Sequence, residues 1–189
     1  MEILLCLSSI CLLFFMVLAT YDGFYLHIWK YELFNQKESI FEHKTHTIRA
    51  ILFPLIVWFL FLDTSTIGFW VGITLVLLDL VVLGIDAHVE GDSRKFMGGL
   101  PQWEYIIHLF ANGFHFAAIL LVIGVKINML ITGMLLGRNL LETAGGKLMI
   151  FVAENTIPGA IVLGIIHLVV LMPKGKWLWN KYRMKITCC

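Results

Sequence analysis

Hydrophobic positions along the chain gather into five blocks separated by short polar breaks. Each block is long enough to cross about 30 Å of hydrocarbon as a helix. The blocks run over residues 3–29, 46–62, 67–88, 104–125 and 148–171. A sixth apolar piece starts at Ile127 and meets Gly137 and Arg138 after ten residues, so residues 127–143 read as an interfacial or re-entrant segment. The first block opens on Glu2, has no small-x-small cleavage site and continues without a polar break, so it reads as a span rather than a cleaved signal peptide. The pattern predicts one all-α integral membrane domain of about five transmembrane helices, four forming a core bundle with one beside it.

Composition agrees with this picture. Residues are 59% hydrophobic and only 14% charged, against roughly 25% charged in a soluble domain. A water-soluble globule is excluded, and a net charge of +1 gives no electrostatic footprint for nucleic acid. Four cysteines, two in the first apolar block and two at the C-terminus, make neither a disulfide framework nor a metal knuckle. Cys188 and Cys189 resemble a lipid-acceptor pair, although two plain thiols read equally well.

Basic residues set the expected orientation. With the N-terminus outside, eleven of the 14 Lys and Arg fall on the cytoplasmic side, five of them in the tail over residues 172–189, and three fall outside. Trp29, Trp103, Trp177 and Trp179 then sit at cytoplasmic span ends and Trp70 near an external one, as an aromatic belt places them.

Ionisable residues inside spans are costly and point to a partner or a cavity, and here they cluster at the end the basic residues mark as cytoplasmic. At about 100° per residue, Glu38, Glu42 and His46 share a stripe within about 80°. Asp79, Asp86 and Glu90 fall within about 40° of one another, as do Glu104, His108 and His115. All three stripes are expected to face the bundle interior. His88 lies half a turn from Asp86 and is set aside. Asp22 and His27 are about 140° apart on an α-helix, so both should not point inward, and Asp22 is preferred.

In chain order the stripes give Asp22, Glu42-x-x-x-His46, Asp86 and Glu104-x-x-x-His108. Four carboxylates and two imidazoles suit a pair of divalent metals in a helical bundle. The arrangement resembles the carboxylate-bridged di-iron proteins of the ferritin-like group. The spacing is one residue longer than that group's Glu-x-x-His, and Asp stands at the two lone positions. The resemblance implies Asp22, Glu42, His46, Asp86, Glu104 and His108 as ligands of two divalent ions, iron first, with zinc or manganese as alternatives. His27, Glu38, His43, Arg49, Asp79, Glu90 and His115 are expected to support these ligands or line a substrate pocket.

The leading functional expectation is therefore a membrane-embedded di-metal oxidoreductase acting on a hydrophobic small molecule such as a lipid or quinone, with membrane lipid as its surroundings. Alternatives are a small transporter for protons or divalent cations, a zinc-dependent membrane hydrolase, and a structural subunit whose polar stripes hold helices together. Arg49 favours the last, since it shares the Glu42 stripe and can neutralise Asp79 or Asp86. Five short spans bury little surface, so assembly as a homodimer or within a larger membrane complex is compatible with the sequence.

Overall fold

The computed structural model describes residues 1–132 and 142–187, and among these it is helical with no strand. Helix α1 (Glu2–Thr20) runs without a break into a π-helical stretch, Tyr21–Lys30. Helix α2 (Ile40–Val57) likewise ends in a π-helical turn, Trp58–Leu62. Helix α3 (Thr66–Ser93) starts at Ser65, whose hydroxyl accepts from the Gly68 N–H at 2.9 Å, an N-cap that satisfies one free donor of the first turn. A short 3-10 turn, Lys95–Met97, leads to Gly98 and Gly99 at φ 89° and 115°, backbone that glycine adopts without steric cost. Pro101 then precedes α4 (Gln102–Ile131), and Thr143 caps α5 (Ala144–Leu171), which is followed by α6 (Pro173–Thr187).

Among the described residues, five helical stretches are long and apolar enough to cross a membrane: Glu2–Lys30, Ile40–Leu62, Thr66–Met97, Gln102–Ile131 and Ala144–Leu171. Only 28–44% of the most apolar window of each is buried within the molecule, and the outer faces carry exposed side chains such as Ile3, Val17, Leu120 and Phe151. Apolar surface this continuous marks a face made for something other than water.

Most of these helices are longer than the apolar blocks. Helix α2 begins six residues before the block at 46, because Glu42, His43 and His46 are helical residues turned inward. Helix α4 continues to Ile131, so the expected break at 127 is absent; the rest of that segment, residues 133–141, lies outside the described residues, as do Cys188 and Cys189.

Helix α1 packs against α4 and α5, and α2 packs against α3 and α5, whereas the backbones of α3 and α4 make no extensive approach among the described residues. The core joins Leu5, Leu12 and Phe15 of α1 to Ala118, Ile119 and Val122 of α4 and to Met149, Val152 and Ala153 of α5. Ser8 adds a hydrogen bond between helices, donating to the Ala118 carbonyl at 2.7 Å.

Pro54 has no N–H to give the Ala50 carbonyl, and α5 passes that carbonyl at Gly164. A Cβ built on Gly164 would lie 3.2 Å from the Ala50 oxygen. Gly164→Val is therefore expected to force α2 and α5 apart and to cost about 1–3 kcal/mol, read as a lowered unfolding midpoint in detergent. An unchanged midpoint would show that the contact is not tight.

Candidate metal centre

The polar residues of four helices converge at one end of the bundle, on the side of the α1–α2 and α3–α4 connections. Asp22 and His27 are both buried and both face inward, contrary to the α-helical phase expected for them. The reason is local. In the π-helical stretch the i→i+5 hydrogen bonds set residues five apart nearly above one another, as i and i+4 are in an α-helix. His27 thus belongs to the centre of the site.

Among the described residues, the largest fully buried side chain is one that spacing alone places in a loop. Arg94 follows α3 directly and lies between two carboxylates. Its Nη1 donates to Glu42 Oε2 at 2.5 Å and to Ser93 Oγ at 3.0 Å. Its Nη2 and Nε donate to Glu104 Oε1 at 2.6 and 2.9 Å, and Nη2 also reaches His27 Nε2 at 3.3 Å. Counting basic residues by loop hid it, but Arg94 falls four residues after Glu90 and eight after Asp86, on the same stripe. The Tyr31 ring lies 5.6 Å from its guanidinium carbon. Burial, and after it the nearby Glu104 carboxylate, push the Tyr31 phenol up to about 12, so it stays a hydrogen-bond donor.

Beyond this clamp, three imidazoles and their carboxylates meet. His46 Nε2 lies 2.9 Å from Asp86 Oδ2 and 3.8 Å from Glu42 Oε1. His108 Nε2 lies 2.8 Å from Asp22 Oδ1, while its Nδ1 pairs with Glu90. His27 stands between them, its Nε2 3.3 Å from Asp22 Oδ1 and 3.9 Å from Glu42 Oε1, its ring 4.1 Å from that of His46. Donor atoms of Asp22, His27 and His108 lie within 4.8 Å of one another, as do those of His27, Glu42 and His46. Thr45 donates to the other oxygen of Asp86. Glu42 Oε1 is fully buried, has no hydrogen-bond partner and faces two imidazole nitrogens.

Charge favours a cation here. Against the six carboxylates Asp22, Glu42, Asp79, Asp86, Glu90 and Glu104 stand two guanidinium groups, Arg49 and Arg94, which leaves four negative charges to be met by histidine protons, other protons or metal. Buried carboxylates in surplus over cations are too costly to stay bare. Paired imidazole and carboxylate donors suit iron, zinc or manganese, and the Glu90–His108 contact matches the carboxylate that commonly orients a ligating histidine.

Other expected residues fall elsewhere. Glu104 is committed to Arg94 and stands outside both donor groups. Glu38 is exposed before the start of α2 and takes no part. His43 is buried but turned to α5, where its Nε2–H donates to the His167 carbonyl at 3.2 Å and the two rings stack 4.9 Å apart. His88 is exposed, as its phase requires. Deeper in the bundle, Arg49 donates to Asp79 Oδ1 at 3.1 Å and to Asn112 Oδ1 at 2.9 Å, with His115 beside them.

A cavity of about 120 Å³ runs inward from the cluster. His46, Asp86 and His108 line its polar end, and Phe15, Phe53 and Leu83 are among its apolar walls. No protein-family model, no curated protein and no solved structure matches this chain.

Proposed function

We propose that this chain is a membrane-embedded di-metal oxidoreductase, with iron as the first choice of metal and a lipid or quinone as the class of substrate. The observation that carries it is the pair of adjoining donor groups, which share His27 and include the unpartnered buried oxygen of Glu42. His46 and Glu42, with Asp86, would hold one ion; Asp22 and His108 would hold the other, and His27, whose Nε2 faces both groups, would serve either. The π-helical stretch after α1 supplies Asp22 and His27, helices α2, α3 and α4 supply the other ligands, and α5 closes the bundle. Arg94 and Glu104 position Glu42, leaving one of its oxygens free. In the proposed orientation the N-terminus is outside and this polar end is cytoplasmic.

Iron bound there would supply electrons for the reduction of dioxygen. In a hydroxylation, one oxygen atom enters a substrate C–H bond and the other leaves as water. Two electrons come from that bond and two from a reductant reaching the polar end. The protein's part is to hold an apolar substrate in the cavity and to exclude bulk water from the cluster.

The transport reading has less support. Past His115 the polar chain gives way to Leu60, Phe69, Ile119 and Val122, all buried and apolar. A closed site suits that core better than a conduit does. The test is oxygen uptake by purified, iron-loaded protein given a chemical reductant and an extract of membrane lipids. Uptake dependent on protein, iron and lipid, with a lipid gaining one oxygen atom, is expected. Uptake independent of the protein, or no oxidised product, would remove the oxidoreductase reading.

A further inference from the structure

At the inner end of the cavity, His115 and Asp79 present polar atoms with nothing to bind. Both side chains are almost wholly buried and both line the cavity. Neither ring nitrogen of His115 has a hydrogen-bond partner, and neither does Asp79 Oδ2. The ring is held in place by aromatic neighbours, with Phe15 at 4.5 Å, Phe116 at 5.0 Å and Phe53 at 5.6 Å between centroids. His115 Nε2 and Asp79 Oδ2 are 3.8 Å apart, too far to bond directly. One oxygen atom placed beside the gap can reach both at about 2.8 Å.

We infer that this pair binds a neutral hydroxyl group carried by an apolar molecule. A hydroxyl donates to Asp79 Oδ2 and accepts from the N–H of His115, and so satisfies two buried groups that otherwise go unpaired. An anionic headgroup is disfavoured by the Asp79 carboxylate. The nearest guanidinium, Arg49, is already engaged by Asp79 Oδ1 and Asn112. Phe15, Met16, Leu83 and Ala111 give the rest of the molecule an apolar bed. Along α4, His115 lies about 10 Å from His108, so the body of the ligand extends back toward the imidazole cluster. That this ligand is also the substrate rests on the oxidoreductase reading; the binding does not.

The full chain in lipid nanodiscs is irradiated with 1-dodecanol bearing a diazirine near mid-chain, about one helical turn from the hydroxyl, beside the matching dodecane and dodecanoate probes. Adducts are mapped by peptide mass spectrometry. The alcohol is expected to label cavity residues such as Leu83 and Ala111 roughly fivefold more than the alkane or acid, the worth of about one hydrogen bond. His115→Phe, which keeps an aromatic ring in the box, should reduce this to the alkane level, and Asp79→Asn gives a second variant. A diazirine-bearing decyl hydroquinone run in parallel separates a quinol from an aliphatic alcohol as the source of the hydroxyl. Equal labelling by alkane and alcohol, unchanged labelling in both variants, or no adducts in the cavity would each overturn the inference. Metal is counted on the same samples: labelling without metal sinks the oxidoreductase reading alone, and metal without selective labelling sinks this site alone.

Discussion

Arg94→Met is expected to destabilise the folded protein by about 3–5 kcal/mol, the cost of leaving partners of a buried ion pair uncompensated. The methionine fills a similar volume but leaves the carboxylates of Glu42 and Glu104 fully buried without the cation that joined them. Arg94→Lys should recover only part of the loss, because one ammonium cannot span two carboxylates as the planar guanidinium does. Neutralising all three groups, in the variant Arg94→Met/Glu42→Gln/Glu104→Gln, should restore most of the stability, since no charge is then left alone. Unfolding midpoints of the detergent-purified variants read the series. An Arg94→Met protein as stable as the parent would show that Arg94 does not clamp these helices.

His27→Ala is expected to lower metal affinity more than His46→Ala or His108→Ala does, and by at least about tenfold, the lower end of what loss of a supporting residue costs in characterised sites. The reason is position: His27 belongs to both donor groups, whereas His46 and His108 belong to one each. His88→Ala is the control, being exposed and off the stripe. Metal per chain across a titration of ferrous iron measures the effect, with helical circular dichroism confirming that each variant is folded. Equal loss in all three histidine variants would place the ion elsewhere in the cluster. Full retention in His27→Ala would remove His27 from the ligand set.

Much of this architecture was legible in the sequence because spanning hydrocarbon imposes a length and an apolar composition that five blocks meet. The polar stripes of α2, α3 and α4 were legible for a related reason: an α-helix has a fixed period, and ionisable groups at that period must share a face. Where the period changes, that rule no longer holds: an α-helical count sets Asp22 and His27 on different faces, yet the π-helical stretch brings them together. The first turns of α2 also fall outside the apolar block, since Glu42 and His43 lower the hydropathy there while facing inward. Arg94 was hidden by its type, since basic residues near span ends ordinarily serve the membrane interface. The His43–His167 stack joins residues 124 apart, a contact that neither helix's own period reveals.

The metal content of the purified chain tests the proposed centre most directly. Protein prepared without chelator, washed free of loose ions and measured by elemental mass spectrometry should carry about two irons per chain, as expected for a two-ion carboxylate–histidine site in a helical bundle. A chain with no stoichiometric metal, even after incubation with ferrous iron, would contradict it. The histidines and carboxylates would then be a proton-balanced network that fastens α1, α2, α3 and α4 around Arg94.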